Sequence, residues 1–176
     1  MSKKYLSCAD TAKLIRQSLK EAFAGVKFSV KSHVYSGGAS INLQWTDGPS
    51  CDQVKSIVGR FEGASFDGMI DLKSYNSSIM NGEPVSFGAD YVFYRREYTQ
   101  AVVEAAIDAV CAKYGEPDDG RPTFSDYQNG RVSYQPVCGF RAMRDLLGIA
   151  LQESSLCETK ASATAESVRY AEELAA

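Results

Sequence analysis

Residues 35–71 read YSGGASINLQWTDGPSCDQVKSIVGRFEGASFDGMID, and the order of signals in this stretch sets the fold class. A glycine turn, Ser36-Gly37-Gly38, leads into a run from Ser40 to Thr46. There Ile41, Leu43 and Trp45 alternate with Asn42, Gln44 and Thr46, the period of two that makes one face of a strand apolar. Asp47-Gly48-Pro49 stops the strand, since Asp and Gly accept turn backbone and Pro lacks a ladder N–H. Ser50 with Gln53 then forms a capping box, and Val54, Ile57, Val58 and Phe61 recur at helical spacing up to Gly63. Between Ala64 and Ser74, Phe66, Met69, Ile70 and Leu72 call for burial. Asp67 and Asp71 call for water, a helix end or a partner, so this part reads as a loop with a short turn or strand.

Upstream, a helix is predicted over Cys8–Phe23. Ser7 caps it, Asp10 lies in its first turn, and Ala12, Ile15, Leu19, Ala22 and Phe23 share one face. Val26, Phe28 and Val30 alternate with Lys27, Ser29 and Lys31 in a strand that forms an antiparallel hairpin, with a long loop, to the Ser40–Thr46 strand. Downstream, Asn76–Gly88 reads as a polar loop. A strand follows over Asp90–Glu97, with Tyr91, Phe93 and Arg95 on one face and Val92, Tyr94 and Arg96 on the other. A helix over Thr99–Tyr114 has Val103, Ala106, Ile107, Val110 and Tyr114 on its core face.

Composition changes at Glu116, where EPDDGRP reads as a linker or exposed loop. Asn129-Gly130 has the chemistry of a tight hairpin. Met143, Leu146, Leu147, Ala150 and Leu151 mark a helix over Phe140–Glu153. The tail is Ala/Glu/Ser/Thr-rich, and a helix over Ala163–Leu174 would have a thin apolar face and dock loosely. The order α-β-β-α-β-α predicts an α+β, two-layer fold: an antiparallel sheet of three or more strands packed by helices, with a C-terminal hairpin and helix extension. The implied organisation is a domain over 1–115, an extension over 116–157 packed on it, and a loosely ordered tail over 158–176.

The bulk chemistry excludes several classes. The chain has 176 residues, 44% hydrophobic and 23% charged, which suits a globular protein with its own core. A net charge of −3 does not suit a generic binder of phosphate backbones, although a local basic patch remains compatible with it. Five cysteines without a C-x-x-C pair, and a single histidine, His33, fit neither a zinc finger nor a Cys–His or Ser–His nucleophile system. The cysteines read as reduced and mostly buried, in a cytosolic protein. The N-terminus lacks the apolar core of a secretory signal and no run of 18 apolar residues occurs. Neither a cofactor nor a metal is expected.

Two groups of side chains are candidate sites. Asp47, Asp67 and Asp71 are turn residues first; the same carboxylates offer an acidic partner-binding surface, and acid–base or metal chemistry would require them to converge. Tyr91, Tyr94, Arg95 and Arg96 combine aromatic and basic groups on one strand, which suits base stacking if they are not spent on the core. Lys27 and Lys31 would reinforce that reading if they lay beside the arginines. Ser36-Gly37-Gly38 lacks both a G-x-G-x-x-G pattern and a Lys-Ser/Thr ending, so it is a hairpin turn rather than a phosphate loop.

The runs FSVKSHVYSGGASINLQWTDGPS, FEGASFDGMIDLKSY and DYVFYRREYT resemble the large polyvalent protein-associated domain 29 family, and CADTAKLIRQSLKEAFAGVKF fits the same pattern. The resemblance covers roughly Ser7 to Tyr114; its most specific parts are Trp45–Pro49 and Phe66–Met69. It implies an accessory protein of a phage or plasmid, working in the cytoplasm of a bacterial host and carrying no established catalytic residues. The expected function is a non-enzymatic binding protein that blocks a host defence complex acting on nucleic acid, most concretely an anti-CRISPR protein. Its partner would be a host protein or ribonucleoprotein complex. The alternative is a nucleic-acid-binding accessory module. No membrane partner is expected, and oligomeric state is not legible.

Overall fold

The computed structural model of the chain describes residues 3–69, 71–134 and 136–171. In chain order the elements are β1 (Lys4–Leu6), α1 (Cys8–Ala22), β2 (Ser29–Tyr35), β3 (Gly38–Thr46), α2 (Cys51–Val58) with a 3-10 turn at Gly59–Phe61, β4 (Ala64–Asp67), β5 (Leu72–Tyr75), β6 (Ser78–Met80), β7 (Glu83–Phe87) and β8 (Tyr91–Glu97). They are followed by α3 (Gln100–Tyr114), α4 (Phe124–Gln128), β9 (Pro136–Cys138), β10 (Arg141–Ala142), α5 (Met143–Glu153), α6 (Ala163–Glu166) and β11 (Val168–Tyr170). The class is α+β, with helices packed on antiparallel and mixed sheets. Two compact units divide the chain: one runs to Arg96 and resumes at Cys157, the other is Glu97–Leu156.

The first unit is built on α1. The Ser7 hydroxyl accepts from the Asp10 N–H at 3.2 Å and caps the helix, and Asp10 sits at its positive end. Ala12, Ile15, Leu19 and Ala22 form its buried stripe, packed with Ile41, Leu43 and Trp45 of β3 and Val54, Val58 and Phe61. The Trp45 indole N–H donates to the Pro49 carbonyl at 3.0 Å, so the largest core side chain also closes the turn beneath it. Asp47 and Gly48 both adopt left-handed backbone, φ 54° and 58°. Their carbonyls are held by the Arg96 guanidinium at 2.8 and 3.1 Å.

β2, β3 and β8 form one sheet with β3 in the centre. The β2–β3 hairpin is tighter than the long loop predicted, since Tyr35 pairs with Gly38 across a two-residue turn with Gly37 at φ 92°. β3 and β8 run the same way: Asp90 N–H bonds the Ala39 carbonyl at their starts, and Arg96 bonds Asp47 at their ends. The second sheet has the order β1-β7-β6-β11. β1 runs parallel to β7, and the other pairs are antiparallel. Gly63 belongs at the join, where a Cβ would overlap the Phe87 carbonyl.

Two expectations about turns need correction. Asn76–Gly88 is not a polar loop: it holds the β6–β7 hairpin, closed by Asn81-Gly82 at φ 53° and 84°, the twist of a type I′ turn. Asn129-Gly130 is not a hairpin turn. It ends α4, where Thr123 and Asp126 form a capping box and Gly130 takes φ 65°. The antiparallel pair of that unit is β9–β10, around Gly139-Phe140.

The C-terminal segment, read as a loosely docked helix, is anchored as far as Ala171. Glu21 accepts from the Ser162 hydroxyl at 2.7 Å and from the Thr164 N–H and hydroxyl at 3.0 and 2.9 Å. Gln53 donates to the Cys157 carbonyl at 3.1 Å, Arg60 to the Ala165 carbonyl at 2.9 Å, and Tyr170 to the Gly59 carbonyl at 2.8 Å. The helix stops at Glu166, and β11 pairs with β6, burying Val168. Polar bonds to side chains far away in sequence supply what the thin apolar face lacks. Residues 172–174 of the predicted helix lie outside the described residues.

The second unit has its own core. Val103, Ile107 and Val110 of α3 pack with Met143, Leu146, Leu147 and Leu151 of α5, and Tyr98 donates to the Leu151 carbonyl at 3.1 Å.

Candidate functional site

The surface of the first unit is open in two places. The first is the β4–β5 hairpin. Ala64 pairs with Tyr75, Phe66 with Lys73, and Asp67 with Leu72. Paired residues share a face of a strand pair, so Phe66, Lys73 and Tyr75 lie on one side and Leu72 on the other. Phe66 is 55% exposed, Leu72 51%, Tyr75 75% and Met69, at the tip, 95%. The sequence called for burial at Phe66, Met69 and Leu72, and the structure shows the opposite. A two-stranded ribbon cannot bury two apolar faces by itself. Ile70 lies outside the described residues.

The second is the outer face of β2-β3-β8. Val30, Ile41, Leu43 and Val92 point into the core. Alternation therefore turns Lys31, His33 and Tyr35, then Asn42 and Gln44, then Tyr91, Phe93 and Arg95 outward. Asn42, on the central strand, is exposed, whereas Ser40 on the same face is buried. Phe93 is 55% exposed, and its ring lies 6.5 Å from that of Tyr91. Glu97, the last residue of β8, is the one carboxylate in the outward row of that strand.

A cleft of 570 Å³ lies between these surfaces, with Tyr5, Tyr35, Tyr75, Lys73 and Asp90 on its walls. Lys73 bonds the Asp90 carboxylate at 3.0 Å and sits 4.9 Å from the Tyr75 ring and 5.9 Å from that of Tyr91. The carboxylate and the neighbouring tyrosine hold the Lys73 ammonium above its ordinary pKa. Asp90 also accepts from the Ala39 N–H at 3.0 Å, which ties the ion pair to the start of β3.

The structure separates the residues that the sequence grouped. Asp47 is half-buried at the end of β8 where Arg96 binds its turn. Asp71 is exposed in the β4–β5 loop, with φ 50°. That hairpin is attached at the other end of β8, through the Ala64 N–H bond to the Asp90 carbonyl. The five residue steps from Tyr91 to Arg96 put these anchor points about 17 Å apart. Asp67 is in β4 near Asp71, and its side chain lies outside the described residues.

Tyr91, Tyr94, Arg95 and Arg96 divide by strand alternation. Tyr91 and Arg95 face outward; Tyr94 packs against the core and Arg96 clamps the Asp47-Gly48 turn. Burial, and then the Glu62 carboxylate, push the Tyr94 hydroxyl well above its ordinary pKa. Burial also raises the Glu62 carboxyl, which accepts the Val92 N–H at 3.1 Å. Reading the strand as a single set therefore missed Phe93, His33 and Tyr35, while Lys31, named as a reinforcing residue, lies across β3 from Arg95. The period of two in β8 marks Phe93; the others need the β2–β3 register.

Burial raises the pKa of the Cys8, Cys51, Cys111 and Cys157 thiols. Among the described residues no three His, Cys, Asp or Glu side chains are grouped as a metal site, and no helix is long and apolar enough to cross a membrane.

No curated protein and no solved structure matches the chain at a significant level. The family model for large polyvalent protein associated domain 29 matches residues 6–99, just over half of the chain. The match takes in α1, the β2-β3-β8 sheet, the capped α2 and both hairpins between Ala64 and Phe87. The chain belongs to the large polyvalent protein associated domain 29 family.

Proposed function

We propose that the protein is a non-enzymatic binding module of a phage or plasmid. It works in the cytoplasm of the bacterial host and covers part of a host defence complex that acts on nucleic acid. Its most concrete form is an anti-CRISPR protein acting by steric block. The observation that supports this reading is the β4–β5 hairpin, which shows large apolar side chains on both faces and at its tip. Clustered exposed apolar residues with a polar rim are the usual anatomy of a protein-docking surface. Met69, Leu72 and Phe66 would be the anchors, with Asp71 on the rim. Asp47 lies apart from this surface.

The test is a plaque or transformation assay in a host that carries a CRISPR system. The wild-type chain is expected to raise survival of the targeted element. Met69→Ser/Leu72→Ser should remove at least tenfold of that effect, the loss that about 1.4 kcal/mol of binding represents. Asp71→Lys should remove a smaller part. A double variant that folds and protects as well as the wild type overturns the hairpin mechanism.

A further inference from the structure

The outer face of β2-β3-β8 carries a chemistry different from that of the hairpin. Its rows follow from the register. Lys31 pairs with Asn42, and His33 with Ser40. The Asp90–Ala39 bond joins the start of β8 to the start of β3, so Tyr91, Phe93 and Arg95 run along the other side of β3 from Lys31 and His33. Aromatic rings thus occupy the β8 side, with cationic or imidazole side chains at Lys31, His33 and Arg95 around them. Lys27, just before β2, is exposed as well. In a chain of net charge −3, the outward positions of β2 and β3 hold no carboxylate, and β8 holds one, Glu97, at its last residue.

We infer that this face binds single-stranded nucleic acid, with Phe93 and Tyr91 stacking successive bases and Lys31 and Arg95 taking backbone phosphates. Two neighbouring aromatics on one strand, with Arg95 on that strand and Lys31 across β3 on the same face, match what unpaired bases require: an apolar platform and nearby positive charge. A duplex offers its bases only in the grooves and cannot stack on such a platform. A protein partner would favour an apolar patch over a face that mixes Lys31, Asn42 and Arg95 with Phe93. The tyrosine-lined cleft beside Lys73 continues the surface past Tyr91. The inference does not depend on the hairpin reading, because it uses other residues and another readout.

The test is fluorescence anisotropy of labelled single-stranded DNA and RNA of about 10 nucleotides, titrated with the full chain. Binding is expected below about 100 µM protein. With two phosphates neutralised, raising salt from about 50 to about 200 mM should weaken it roughly sevenfold. Phe93→Ala, at an exposed position, should weaken binding roughly five- to 150-fold. Lys31→Glu should weaken it and flatten the salt dependence, with both variants keeping the wild-type circular dichroism spectrum. The inference is overturned if the wild type binds neither oligonucleotide in that range. It is also overturned if folded Phe93→Ala and Lys31→Glu bind as the wild type does, if duplex competes as well as single strand, or if the face captures a protein and no oligonucleotide.

Discussion

Two hairpins follow one another between Ala64 and Phe87, and their surroundings differ. β6–β7 lies inside a sheet, with β1 on one side and β11 on the other. Val85 and Phe87 are buried, and the Phe87 ring meets Phe61 edge-on at 5.5 Å. β4–β5 is a sheet of two strands. Its base is fixed by the Ala64–Asp90 and Asn76–Gly63 backbone bonds and by the Lys73–Asp90 ion pair, while Phe66, Met69 and Leu72 face water. Similar apolar side chains thus serve as core in one hairpin and as a displayed surface in the other. Apolar content therefore does not separate architecture from function here; the presence of neighbouring strands does.

The contrast can be broken most severely at Phe87. Phe87→Ala removes a buried ring and should destabilise the protein by about 3–5 kcal/mol in urea unfolding. A cost under 1 kcal/mol would mean that β6–β7 is no more structural than β4–β5. The turns give the next test. Gly82 needs φ 84°, so Gly82→Ala should cost about 1–2 kcal/mol. Gly68 has no positive φ, and a Cβ there meets only the Phe66 ring at 3.8 Å, so Gly68→Ala should be close to neutral.

A smaller effect should come from Glu21, which anchors the segment leading into β11. Bonds from Thr164 and Ser162 hold its carboxyl at about 2, against an ordinary value of 4.5. A carboxyl lowered on folding stabilises the native state above its unfolded pKa. That contribution is lost as pH falls, here from about 4.5 to about 2. Amide exchange at Arg169 and Tyr170 should quicken across that window while exchange in β4–β5 does not follow it. Glu21→Gln should cost about 1 kcal/mol or less near neutral pH and remove the pH step.

Legibility in the sequence tracked how local the determining forces are. α1 and α2 were readable because their caps and apolar stripes lie within a few residues of one another, at Ser7–Asp10 and Ser50–Gln53. The Asn-Gly steps were not, because the dipeptide fits two backbones. At Asn129-Gly130 the neighbouring Thr123–Asp126 box makes a helix end of it. At Asn81-Gly82 the flanking strands are three and five residues long and include Pro84, and they rely on β1 and β11 from distant parts of the chain. The candidate site was half legible. Alternation in β8 already separates Tyr91 and Arg95 from Tyr94 and Arg96, but placing Lys31 beside Asn42, on the face that Phe93 shares, requires the β2–β3 register and the order of the sheet.

The smallest expected effect bears most directly on the central claim, that the apolar side chains of β4–β5 are displayed for binding and do not hold the fold. The measurement is the unfolding free energy of Met69→Ser/Leu72→Ser beside that of the wild type. The account predicts a difference within about 0.5 kcal/mol, as for exposed positions away from structural features. A loss of about 2 kcal/mol or more, in the range of buried side chains, would contradict it and make the hairpin part of the core.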